Sequence, residues 1–156
     1  MTLEGLNEDF RDLLVLLADA GVEFVVVGAY ALAFHGAPRA SGDIDLFIRP
    51  SPPNAERVFQ ALTRFGAPLQ SAGVTAADLA QPGAVYQIGL PPRRIDLLTE
   101  ISGVSFDEAW ASRIETQVES RVVPFIGRDA LLKNKQATGR PKDLADIARL
   151  RRPRSS

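Results

Sequence analysis

A mixed α/β (α+β) fold is predicted by three features of this 156-residue chain. Short, β-branched apolar runs alternate with helical stretches in the order αβαβα, followed by further strands and a closing pair of helices. Hydrophobic residues make up 46% of the chain and charged ones 24%, a globular balance that excludes a disordered or coiled-coil chain. The length suits one domain over 1–156, with a core at about 7–126, C-terminal helices at about 127–151 and a basic tail at 151–156.

The elements follow in order. Phe10, Leu13, Leu14 and Leu17 repeat at helical spacing, with Asn7 as the cap and Gly21 as the stop. VEFVVVG (22–28) is apolar on both faces and reads as a buried strand. Residues 29–36 favour a short helix ended by Gly36, and APRASG then forms a loop. DIDLFIR (43–49) reads as a second strand. Ser51, Pro52 and Pro53 open a helix that runs to about Phe65 and stops at Gly66, since proline is tolerated in a first turn. Residues 66–83 are rich in Gly, Ala and Pro, with one helical turn at 75–79. AVYQIGL (84–90) and RRIDLLT (93–99) flank Pro91-Pro92 as a strand pair. Ser105 and Glu108 have capping-box spacing and start a short helix through Trp110. Residues 116–126 suggest a hairpin whose second run Pro124 should confine to a sheet edge. Two helices, about 128–137 and 141–151, are separated by Gly139, with Pro141 in a first helical position.

Several functional classes drop out early. There is no cysteine and one histidine, so disulfide frameworks, thiolate zinc sites and His-rich metal sites are excluded. No apolar run approaches the ~18 residues of a membrane span, and the acidic start lacks a signal-peptide pattern. A cytoplasmic location without membrane attachment is expected. The net charge of −1 conceals a split: residues 1–127 carry 9 basic and 16 acidic side chains, residues 128–156 carry 9 and 3. A basic C-terminal end on an acidic body suits phosphate or nucleic acid, and equally a solvated Arg-rich tail.

The strands carry the chemistry. Alternate strand residues share a face, so Asp43 and Asp45 project together while Ile44 and Leu46 face away. Two carboxylates so close repel unless something neutralises them, and a hard cation such as Mg²⁺ does so well. Asp96 is a lone acid in a second apolar strand. If the two strands are adjacent, it completes a three-carboxylate cluster of the kind that binds two metals for phosphoryl transfer. The alternative has Asp43 capping a turn and Asp45 on a solvated face. Gly28 ends a buried strand and opens a helix, where backbone N–H groups favour phosphate. It is not a dinucleotide fingerprint, because Gly28-Ala29-Tyr30 lacks GxGxxG.

Gly28-Ala29, then thirteen residues, then Asp43-Ile44-Asp45 and a later strand with Asp96, resembles the nucleotidyltransferase superfamily related to DNA polymerase β. VVVGAYALAFHGAPRASGDIDLFI is similar to small bacterial members grouped with AbiEii-like toxins and minimal nucleotidyltransferase antitoxins. So is the C-terminal stretch with Lys135, Arg140, Lys142, Asp143 and Asp146. The resemblance covers about 22–150. It implies a nucleotidyltransferase fold: a mixed twisted sheet flanked by helices, with a C-terminal helix pair. It implies an NTP donor, NMP transfer, and a two-metal site for Mg²⁺ or Mn²⁺ on Asp43, Asp45 and Asp96. Gly28 and Ala29 would bind the triphosphate through backbone groups, and Arg39 and Ser41 would contact nucleotide. Lys135 and Arg140 would stabilise phosphate charge, although a solvated late-helix lysine and an interhelix-turn arginine explain them as simply. Ala29 departs from the family's usual Gly or Ser, offering only its backbone N–H. The implied partners are NTP, a tRNA or protein acceptor, a cognate toxin or antitoxin, and a second copy in a homodimer.

Two other functions compete. One is a non-catalytic module of this fold that binds nucleotide or a partner, favoured by Ala29 and opposed by the intact acids. The other is a DxD glycosyltransferase, which generally needs a longer chain around the motif. His35, beside Gly36, reads as a structural hydrogen bonder rather than a base. Trp110 reads as core, and Tyr30 as core or site wall.

Overall fold

The computed structural model describes residues 6–38 and 42–152. The order is α1 (Glu8–Asp19), β1 (Phe24–Val27), α2 (Gly28–Phe34), β2 (Ile44–Ile48), α3 (Pro52–Phe65), α4 (Leu69–Ala72) and α5 (Ala76–Leu79). It continues with β3 (Val85–Ile88), β4 (Ile95–Leu98), α6 (Phe106–Ala111), β5 (Ile114–Val118), β6 (Arg121–Phe125), α7 (Arg128–Thr138) and α8 (Pro141–Leu150). Arg39, Ser41 and the tail beyond 152 lie outside the described residues.

Helix ends follow their local chemistry. The Asn7 side chain accepts from the Asp9 N–H at 2.8 Å, and the Ser51 side chain accepts from Asn54 N–H at the start of α3. Gly66 closes α3 in the left-handed region at φ +89°, and Gly139 closes α7 at φ +61°. The capping box at Ser105–Glu108 forms, as does one at Thr75–Asp78. α4 was not foreseen: it is a single turn closed by Gly73, with Leu69 buried.

Six strands form one mixed sheet, ordered β3-β4-β2-β1-β6-β5. β1 runs antiparallel to β2 and parallel to β6, β2 runs parallel to β4, and β3–β4 and β5–β6 are hairpins. Strand alternation gives the sheet two distinct faces. Ile44, Leu46 and Ile48 of β2 are buried on one; Asp45 and Phe47 lie on the other, where Phe47 meets Phe106 of α6 edge-on at 5.1 Å. α1 packs on α3 and β6, burying Phe10, Leu13, Leu14 and Leu17.

One expectation is corrected. β6 is an interior strand, between β1 and β5, despite Pro124. Its parallel register with β1 involves only Phe125 opposite Val26, so Pro124 lies outside that ladder and costs it no N–H donor. Among the described residues, no helix is long and apolar enough to cross a membrane.

Candidate active site

The register of the central strands assembles the acids. β2 and β4 lie side by side with Asp45 directly opposite Asp96, so both carboxylates stand on one face at neighbouring positions. Val27, the last residue of β1, is opposite Asp45 from the other side. Asp43 sits just before β2, and its Oδ1 accepts the Arg94 backbone N–H at 2.9 Å. Sequence spacing could put Asp43 and Asp45 on one face; only the pairing of two distant strands brings in Asp96.

Gly28 follows Val27 and opens α2 at φ +70°, a conformation costly for any residue with a Cβ. A Cβ there would also collide with the Asp45 carboxylate. Glycine is therefore required twice, by backbone conformation and by the approach of Asp45. Gly28→Ala should cost about 1–2 kcal/mol in backbone strain, with more from displacing Asp45. Thermal denaturation and a transfer assay check this. A variant that melts with the wild type and transfers normally would show that the close approach is dispensable. Ala29 is buried, and Val27 gives α2 no side-chain cap.

Asp45 is a perturbed carboxylate. Burial, the charge and hydrogen bond of Asp96, and the charge of Asp43 push the Asp45 carboxyl up to about 6, against the opposing pull of Arg94. Burial and the Asp43 charge raise the Tyr30 hydroxyl, and the Tyr30 ring packs edge-on against Phe10 at 5.9 Å. Tyr30 is thus both core neighbour and site neighbour.

Arg94 had no role in the sequence reading. Its Nε donates to Asp96 Oδ1 at 2.7 Å and its Nη2 to Asp96 Oδ2 at 3.1 Å, a bidentate pair. Nη2 also lies 3.7 Å from Asp43 Oδ2. The signal is present in the sequence: Arg94 is two residues before Asp96, just ahead of β4, and alternation directs it to the same face.

Beside the acids opens a cleft of about 670 Å³, within the range of small-molecule sites. Gly28 and Asp45 line one wall, Ser102 to Ser105 another, and Lys135, Thr138 and Arg140 a third. The cleft thus joins Gly28, Asp45, Lys135 and Arg140. Lys135, however, is not a solvated cation. It is buried, with Nζ 3.4 Å from Asp143 Oδ1 and 3.2 Å from Asp146 Oδ2. Burial would raise the Asp143 carboxyl, but hydrogen bonds from Arg140 and Thr138 and the Lys135 charge hold it well below the usual carboxylate range. Arg140 is mostly exposed and spans both Asp143 oxygens, at 2.7 and 3.2 Å. His35 Nε2 meets the Ile126 carbonyl at 2.7 Å, tying α2 to the end of β6, and Trp110 stacks on Phe106 at the core's edge.

The donor set suits a hard divalent cation: three carboxylates and no soft ligand. As the side chains stand, no three carboxylate or imidazole groups among the described residues converge as a metal cage, since Asp43 and Asp96 are turned to Arg94. The residues fit the cation in chemistry and in placement along the strands.

A family model described as the nucleotidyl transferase AbiEii toxin of type IV toxin–antitoxin systems matches residues 12–124. No curated protein matches the sequence significantly. Among solved structures, a Thermotoga maritima protein described as a nucleotidyltransferase is 13% identical over 89% of this chain and 88% of its own, with TM-score 0.56. The lincomycin-bound lincosamide antibiotic adenylyltransferase LnuA is 16% identical over 93% and 96%, with TM-score 0.55. ANT(2")-Ia in complex with adenylyl-2"-tobramycin is 13% identical over 90% and 84%, with TM-score 0.54. At these identities the likenesses establish the fold.

Proposed function

The chain belongs to the AbiEii nucleotidyl transferase family, and from that premise we propose that it moves NMP from an NTP to a hydroxyl of an RNA, such as tRNA, or of a protein. The reaction is divalent-metal-dependent and takes place in the cytoplasm, in a toxin–antitoxin setting. The observation that carries this reading is the register of Asp45 against Asp96, with Asp43 just before the same strand, and Asp45 lining a cleft together with Gly28.

In this reading Asp43, Asp45 and Asp96 would hold Mg²⁺ or Mn²⁺, which would supply charge neutralisation at the transferring phosphoryl group. Asp96, nearest the open β3 edge of the sheet, takes the proton of the acceptor hydroxyl. The acceptor oxygen bonds to the α-phosphorus, the bond from the α-phosphorus to the bridging oxygen breaks, and pyrophosphate leaves. The backbone N–H groups of Gly28 and Ala29 hold the triphosphate. Arg140 offsets pyrophosphate charge directly through its exposed edge; Lys135, beside the same cleft, does so chiefly by fixing Asp143 and hence Arg140. Nucleophilic side chains are not needed, which agrees with a chain lacking cysteine.

The RNA acceptor is supported by charge. Lys142, Arg151 and Arg152 are exposed on or just after α8, and Arg149 donates to the Pro38 carbonyl at 3.3 Å, five residues before Asp43 in the sequence. A basic surface so placed tracks a phosphate backbone. The protein acceptor is the alternative, compatible with the family's toxin–antitoxin description. Incubation with each labelled NTP, Mg²⁺ and either total tRNA or cell lysate distinguishes them. Label is expected in RNA or in one protein band. Absence of label with every acceptor, together with no NTP binding by calorimetry, would favour the binding module that Ala29 suggests.

A further inference from the structure

We propose that Arg94 is the built-in counter-ion of the three-carboxylate cluster, and that its guanidinium leaves Asp43 and Asp96 when a divalent cation loads. This rests on the reading above that these carboxylates hold the cation. Three observations carry it.

First, the guanidinium is fitted to the cluster. Among the described residues, the ion pairs of its side chain go to Asp96 and Asp43. Both Asp96 oxygens are engaged by one planar fork, at 2.7 and 3.1 Å. Second, the carboxylates are arranged around Arg94 and do not form a metal cage as they stand. Third, the arginine has somewhere to go. Its side chain is 28% exposed, that of Asp43 is 25% exposed, and Arg94 lies between the exposed Pro91–Arg93 turn and the start of β4.

The physics makes the two occupants exclusive. Arginine stays charged at any ordinary pH, so it cannot yield by losing a proton. A divalent cation on the same oxygens would face that positive charge at short range in a partly buried site, where screening is weak. The guanidinium must therefore swing out. In the unloaded protein it offsets the mutual repulsion of Asp43, Asp45 and Asp96, which otherwise opposes folding around this sheet. Metal affinity is thus set lower than the three acids alone would give.

The test is metal binding by the full chain without nucleotide, read by Mn²⁺ electron paramagnetic resonance. Arg94→Gln should tighten Mn²⁺ binding by roughly tenfold or more, as expected for removing one competing charge. Arg93→Gln, a change at the exposed neighbour that pairs with none of the three acids, should leave it within about twofold. Arg94→Lys keeps a charge without the fork and should fall between wild type and Arg94→Gln. On the wild type itself, the Arg94 Nε–H signal in nitrogen-15 spectra should move and exchange faster as Mg²⁺ saturates. That measurement stands even if Arg94→Gln folds poorly. Unchanged or weaker Mn²⁺ binding by a folded Arg94→Gln, or an Arg94 Nε–H signal indifferent to saturating Mg²⁺, overturns the counter-ion role and leaves the carboxylate site intact. A wild type that binds no Mn²⁺, or binds it equally as Asp45→Asn, overturns both.

Discussion

Asp45→Asn is expected to reduce nucleotidyl transfer by roughly 10³-fold or more while leaving the metal-free protein as stable as the wild type or more so. The two effects have one cause. Asp45 stands opposite Asp96 and near Asp43, and its carboxyl is pushed up to about 6 by burial, by the charge and hydrogen bond of Asp96 and by the Asp43 charge. Between the ordinary aspartate value of 3.8 and about 6, the folded protein binds a proton that the unfolded chain has released. Stability contributed at this position therefore falls as pH rises through that window, and the ionised form opposes folding above it. Asparagine keeps the size, and its amide can donate to Asp96 as the protonated acid does. It removes a cost of at most about 3 kcal/mol above pH 7. Activity fails for the opposite reason, since a neutral amide is a poor ligand for a hard cation. Calorimetric melting in a chelator at pH 4, 6 and 8, paired with single-turnover transfer, reads both. Normal transfer by the variant would refute the metal assignment of Asp45. A large drop in melting temperature would show instead that the carboxylate is needed for the fold.

What could be read in the sequence follows from the range of the interaction. Period-two alternation is local, so Asp43-Ile44-Asp45 announced which way two acids point. The caps at Asn7, Ser51 and Ser105, the stops at Gly66 and Gly139, and the Gly28 junction are also local, and each is found where the side-chain chemistry puts it. Pairing is not local. That β2 and β4 are parallel neighbours, with Asp96 opposite Asp45, depends on chain more than fifty residues apart and enters the sequence only as a condition. The same gap explains Pro124. A proline lowers the chance of an interior strand, but its effect depends on where pairing with the next strand begins, and β1 meets β6 only at Phe125. Alternation puts Arg94 on the Asp96 face, but its reach to Asp43 depends on the same pairing of β2 with β4. Lys135 is the clearest case of hidden burial. It stands in a polar helix, and only the fold-back of α8 on α7 places Asp143 and Asp146 against it.

Lys135→Met is expected to be the most destabilising single substitution in the C-terminal helix pair, costing about 3–5 kcal/mol. The Lys135 side chain is 7% exposed, while those of Asp143 and Asp146 are 0% and 2% exposed. Methionine fits the volume but withdraws a positive charge from two buried carboxylates. Asp143 keeps its bidentate pair with Arg140, while Asp146 loses the ammonium that lies 3.2 Å from its Oδ2. Neutralising that acid should therefore reverse most of the damage: Lys135→Met/Asp146→Leu is expected to recover most of the melting temperature, because an apolar replacement of a buried ion pair is often neutral or better. The double variant also separates two roles for the lysine. If Lys135 serves the cleft by fixing Asp143 and Arg140, transfer and the KM for NTP recover together with stability. If its ammonium touches phosphate, stability returns while the KM for NTP stays raised. The expected result is joint recovery, because both near carboxylates already take up the charge of Lys135 and Arg140 is the cation with an exposed edge at the cleft.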